Sequence, residues 1–194
     1  LSPTSGKSTA HVVDVLYTYM IGSKVDGQLE ADSGFLTSWG ANSDSTVFTF
    51  KIRDNLVFHN GERATAEDGA FSLDVVRDPK AAFIQGPQFL TAVSKVEAPD
   101  ASTLVVTLNR PNIFWHITYL GRNAPAANNT PKVAMPKKYT TSVGVVEGNN
   151  KPIGSGPYKF KNFAGGDRLI VEAVDRHFYF GVPKTKTMTI LQIP

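Results

Sequence analysis

The sequence predicts a mixed α and β fold of the α+β kind, with more strand than helix. Three observations predict it. Residues 46–53 (TVFTFKIR) alternate Phe48, Phe50 and Ile52 with Thr49, Lys51 and Arg53, the period of two that gives a strand one dry and one wet face. Runs 93–97 and 103–109, and again 158–163 and 169–174, are strand-like pairs joined by turn residues, and each pair reads as a hairpin. One central helix, 65–77, carries its own start and stop signals.

Composition narrows the class. With 194 residues, 41% hydrophobic and 19% charged, the chain has enough apolar content for one sizeable core or two small ones and is not a disordered segment. The formal charge of +3 is scattered, and its densest groups, 132–138 and 184–186, are too sparse for a nucleic-acid surface. The absence of cysteine excludes disulfides, thiol catalysis and Cys-based zinc sites. No apolar run approaches the ~18 residues of a membrane-spanning helix. The chain opens at Leu1 without a basic-then-apolar leader, so a signal peptide is expected to have been removed or to lie outside this sequence.

In chain order, residues 1–8 are polar. Gly6-Lys7-Ser8-Thr9 lacks the upstream glycine and strand of a phosphate-binding loop. Residues 11–21 form an apolar, helix-like stretch, closed by a turn at Lys24-Val25-Asp26-Gly27. After strand 46–53, residues 56–79 (LVFHNGERATAEDGAFSLDVVRDP) pack a strand end, a turn, a helix start and a helix stop together. His59-Asn60-Gly61 supplies the turn, since Asn and Gly tolerate positive φ. Thr65 stands as N-cap with Asp68 as its reciprocal partner, and Glu67 and Asp68 suit the positive end of the helix dipole. Phe71, Leu73, Val75 and Val76 provide the apolar surface, and Asp78-Pro79 the stop. Residues 81–90 read as irregular or weakly helical. Pro99-Asp100-Ala101-Ser102 turns the first hairpin, and 111–120 starts a helix with Pro near its first turn. Residues 122–130, with a formal glycosylation sequon at Asn128, and the polar stretch up to Lys151 read as loops. Gly154 and Gly156 permit a tight path beside Pro157, Gly165-Gly166-Asp167 turns the second hairpin, and 187–193 is a closing strand.

Two of these stretches resemble the extracellular solute-binding proteins of family 5, the peptide/nickel type that serves ABC importers. "FHNGERATAEDGAFSLD" is similar to the family pattern F-H-D/N-G-x-x-x-T/S-A-E/D-D-V-x-F-S, with Gly69 where Val is usual. "KPIGSGPYKFKNFAGGDRLIVEAVDRHFYFGVP" is similar to P-I/V-G-T-G-P-Y followed by N-x-x-Y-W-G-x-P. Weaker likenesses lie at 15–32, where Thr18-Tyr19 replaces a Glu-Gly pair, at Thr37-Ser38-Trp39 and at 135–139. The resemblance implies the first lobe, with a small subdomain, of a two-lobed periplasmic binding protein, incomplete at both ends. Residues 1–45 would belong to lobe one, 46–150 to the inserted subdomain, and 151–194 would return to lobe one and end at the crossover to lobe two. It implies a peptide or other small solute as ligand, bound weakly by one lobe alone, and an ABC permease as partner. It implies a periplasmic or extracellular location, with membrane contact through the permease or a lipid anchor. Candidate ligand-facing residues are Tyr17, Thr18, Tyr19 and Phe89, with Lys132 as an anion partner; no cofactor or metal is implied. Trp39 and Trp115 are expected in the core.

Enzymatic alternatives are weaker on the residues themselves. His11, His59, His116 and His177 have no metal-ligand spacing and read as turn or surface histidines. Glu67 and Asp68 project about 100° apart on a helix and cannot flank one glycosidic bond. Ser155 lacks the G-x-S-x-G frame of a strained nucleophile. A carbohydrate-active hydrolase is the alternative reading, as is a binding protein for an oligosaccharide or metal chelate. A third is a scaffold piece that self-associates through an exposed strand edge.

Overall fold

The computed structural model describes residues 10–24, 26–77, 89, 91–122, 132–164 and 168–191. The expected turns and stops at Asp78-Pro79 and Gly165-Gly166-Asp167, most of 81–90, all of the loop 122–130 but Arg122, and the polar start 1–8 lie outside the described residues.

A four-stranded antiparallel sheet forms the larger body, in the order β3 (Leu36–Ala41), β4 (Val47–Ile52), β6 (Thr103–Leu108), β5 (Val93–Asp100). β4 keeps the predicted alternation, with Phe48, Phe50 and Ile52 buried and Thr49 and Lys51 exposed. Helix α2 (Ala66–Arg77) packs on β5 and β6, and Leu73 and Val76 join Phe48, Phe50, Leu104 and Trp115 in the main core. A three-stranded antiparallel sheet, β7 (Tyr158–Ala164), β8 (Arg168–Ala173) and β9 (Thr187–Leu191), carries helix α1 (Ala10–Leu16) against β7. Its separate core gathers Val12, Leu16, Tyr17, Val133, Leu169 and Val171. A two-stranded ribbon, β1 (Gly22–Ser23) with β2 (Leu29–Glu30), closes through Lys24 and Gly27 as the turn signal predicts. The β3–β4 hairpin spans residues 45 and 46, where a subdomain boundary was expected, so both sides of that point share one sheet.

Several local expectations are corrected. The first helix ends at Leu16 instead of Ile21, because the next residues are drawn into extended pairing, Tyr19 with Val133 and Ile21 with Gly121. The first hairpin turns at Ala101-Ser102 alone, since Asp100 pairs with Thr103 and its carboxylate accepts the Ser102 N–H at 2.7 Å. Helix α3 (Trp115–Leu120) starts four residues after Pro111, because Asn112 caps a turn there by accepting the N–H groups of Phe114 and Trp115. The supposed loop before Lys151 holds two short helices, α4 (Lys137–Val143) and α5 (Val145–Asn150), separated by Gly144 at φ +82°. The Tyr139 hydroxyl donates to Lys151 O at 2.8 Å and closes this pair. That contact is tertiary and leaves no periodic trace in the sequence.

At the start of α2, Asp68 Oδ2 accepts the Thr65 N–H at 2.8 Å, the backward half of a capping box. The Thr65 hydroxyl donates to the same carboxylate at 3.0 Å. Asp68 Oδ1 also accepts the Lys137 N–H at 2.8 Å, and Ser72 Oγ that of Met135 at 2.8 Å. The helix thereby fixes the path of residues 135–137.

Candidate functional site

Two glycines position the site. A Cβ on Gly154 would lie 1.9 Å from Leu16 O, and one on Gly156 would lie 2.5 Å from Val15 O. Only glycine allows the 154–156 segment to lie this close to the end of α1. The Gly156 N–H donates to Leu16 O at 2.9 Å, and the Thr18 hydroxyl to Ser155 O at 3.0 Å. Residues 16–18 are thus held rigidly, and Tyr19 emerges from them toward a polar edge.

There the Tyr19 hydroxyl donates to Asp14 Oδ1 at 2.6 Å, and Arg122 Nη2 lies 3.4 Å from the same oxygen. The guanidinium of Arg122 stands 5.4 Å from the Tyr19 ring centroid, over its face. Burial, followed by the Asp14 carboxylate, raises the Tyr19 pKa, so its hydroxyl stays a donor. These groups line a hollow of ≈ 40 Å³ together with Tyr17, Thr18, Gly22, Ser33, Pro157, His177 and Phe180. At that size the hollow has room for only a few water molecules.

Of the expected residues, Tyr17, Thr18 and Tyr19 come together at this hollow. Lys132 sits behind it, its ammonium donating to Arg122 O at 3.2 Å. Desolvation lowers the Lys132 pKa to about 8, with Asp14 opposing the shift. Phe89 is a correction: it is fully buried in the main core, its ring 5.9 Å from Trp115 and 5.6 Å from Tyr119. Sequence reasoning missed Asp14, Arg122, His177 and Phe180. Their only trace was an aspartate five residues before Tyr19 and the aromatic run His177-Phe178-Tyr179-Phe180.

Of the histidines, His59 and His177 stand at turns as expected, although His177 is buried, whereas His116 departs from expectation, buried within helix α3. His177 is lowered to about 4, first by desolvation, with the neighbouring His59 and Arg53 adding to it. Among the described residues, no group of three His, Asp or Glu side chains could hold a metal ion. Glu67 and Asp68, the carboxylates of the hydrolase alternative, line a surface groove of ≈ 630 Å³. Both are engaged: Glu67 pairs with Lys137 Nζ at 3.0 Å, and Asp68 holds the backbone of Thr65 and Lys137. That arrangement ties the start of α2 to the start of α4.

The chain is similar to binding proteins of known kind. It is 28% identical over 181 residues to the "Probable D,D-dipeptide-binding periplasmic protein DdpA" of Escherichia coli (strain K12), an alignment covering 90% of this chain and 33% of that protein. The solved structure of MoaA from A. tumefaciens R10, in complex with mannopinic acid, matches with a TM-score of 0.81 at 28% identity, over 98% of this chain and 38% of that one. NikZ from Campylobacter jejuni, in complex with Ni(L-His), matches in fold with a TM-score of 0.81 at 23% identity, over 99% of this chain and 36% of that one. The chain spans about a third of the length of DdpA. These relatives are binding proteins and give no support to the hydrolase alternative. The family model described as bacterial extracellular solute-binding proteins, family 5 middle, matches residues 31–194, and the chain belongs to that family.

Proposed function

We propose that this chain is part of the solute-binding component of a bacterial ABC importer, and that its hollow beside Tyr19 is one wall of the solute site. The observation that carries this reading is the Asp14–Tyr19–Arg122 constellation. One carboxylate holds a phenol hydroxyl and a guanidinium at a partly exposed edge. An anion, a cation and an aromatic face within one hollow suit a zwitterionic solute such as a short peptide. Tyr17 and Thr18 shape its floor, and Lys132 lends positive charge from behind. Residues 1–45 and 151–194 are assigned to the first lobe and 46–150 to its subdomain, with strand β3 joining the subdomain sheet. A second lobe closing on the solute and an ABC permease complete the proposed system, with a periplasmic or cell-surface location and membrane contact through the permease or a lipid anchor.

Dipeptides titrated into the chain and followed by ligand-observed NMR test this. Because half of the contacts are missing, binding in the millimolar range is expected, against sub-micromolar for an enclosed site. Arg122→Gln and Asp14→Asn should each weaken binding at least fivefold. Sub-micromolar binding by this chain would overturn the one-wall reading, and unchanged binding in both variants would overturn the location.

A further inference from the structure

The turn that follows β8 holds a large aromatic side chain out at the rim of the hollow. Phe180 is 59% exposed, yet the turn beneath it is closed at every point. The His177 N–H donates to Gly181 O at 2.8 Å, and the Gly181 N–H returns to His177 O at 3.0 Å. His177 Nδ1 accepts the N–H groups of Tyr179 and Phe180, each at 3.2 Å. Gly181, at φ +70°, completes the reversal in a conformation that favours glycine. Ring contacts fix the orientation of Phe180 from two sides: His177 at 5.2 Å between centroids, and Tyr179 edge-on at 4.9 Å. Phe178, two residues earlier, turns inward and packs against the main core. Phe180 joins neither core, and it lines the same hollow as Tyr19 and Arg122.

We propose that Phe180 is a specificity-determining residue of the solute site, its ring forming the apolar wall of a subsite for a hydrophobic or aromatic side chain of a peptide whose charged groups meet Asp14 and Arg122. This rests on the solute-binding reading above. A ring already held in place loses little conformational freedom when a ligand covers it, so most of the apolar burial appears as affinity. It also explains why a hydrogen-bonded turn, anchored by a buried histidine, presents an aromatic ring that the chain's own core does not use.

The test compares the dipeptides Ala-Phe and Ala-Gly by ligand-observed NMR on the whole 194-residue chain. Covering about half of a phenyl group favours Ala-Phe by about tenfold. Phe180→Ala should reduce that preference to about twofold or less and, as the side chain is mostly exposed, leave the thermal midpoint unchanged. Phe180→Trp should retain the preference. An undiminished preference in Phe180→Ala, or equal binding of the two dipeptides by the unaltered chain, overturns the subsite while the solute-binding reading stands. If neither dipeptide binds while the amide spectrum shows a folded chain, both fall.

Discussion

The imidazole of His59 clasps a segment 97 residues away: its Nε2 lies 3.0 Å from Gly156 O, and its Nδ1 accepts the Gly154 N–H at 3.3 Å. Since Nδ1 accepts, the proton of the neutral ring is on Nε2, which donates to Gly156. The backbone adds a third bond, His59 N–H to Gly154 O at 2.8 Å. The two motifs that identify the family are thus bound to each other, and the second of them rests on the segment leading to Tyr19. His59→Ala should cost about 1–3 kcal/mol in urea unfolding, because a half-buried amide and carbonyl lose their partner together. An unchanged midpoint would show that the backbone bond alone holds the segments.

Acid should loosen the same region. Burial depresses His59 and His177 below the ordinary value of 6.5, His177 to about 4. The unfolded chain therefore binds protons more readily than the folded one, and stability falls as pH drops from about 6.5 towards 4. The slope is at most about 1.4 kcal/mol per pH unit per histidine, less any solvent screening. Thermal midpoints measured between pH 7.5 and 4.5 check this, and His59→Gln should remove part of the slope.

Glycines in different surroundings should respond with opposite signs. Gly154→Ala places a methyl group 1.9 Å from Leu16 O and should cost about 3 kcal/mol or more. Gly148→Ala, in helix α5, meets Thr140 Cγ2 at 3.8 Å and Val143 Cγ2 at 3.9 Å, both ordinary contacts, and should stabilise by a few tenths up to about 1 kcal/mol. Denaturant midpoints of the two variants give the comparison directly.

Gly69 looks like a weak point in α2, where valine is the usual residue of the family pattern. A Cβ there would stand 3.0 Å from Cε1 of the buried Phe35 ring and 3.4 Å from Leu104 Cδ2. Gly69→Val should therefore destabilise by about 1–3 kcal/mol despite the gain in helix propensity. The double variant Gly69→Val with Phe35→Leu should recover part of the loss, measurable as a coupling energy in a double-mutant cycle.

Much of the scaffold was legible because its signals are local. Phe48, Phe50 and Ile52 alternate with polar residues, so strand β4 and its buried face followed from period two alone. Thr65 and Asp68 lie three apart, and the helix start followed from that spacing. Helices α4 and α5 were missed because what holds them, the Tyr139–Lys151 contact, joins residues with no pattern between them.

Local signals were enough for the strands of the main sheet, for helix α2 and, through two glycine-bearing motifs, for the family. These depend on backbone conformation and apolar periodicity over a few neighbouring residues. Only the tertiary structure decided which side chains face the hollow. It buried Phe89 against Trp115, turned Phe178 inward and Phe180 outward, and brought Asp14 to Arg122 across 108 residues. Burial and charge pairing between distant segments are properties of the packed chain, and no local rule sorts one phenylalanine from another in the same run.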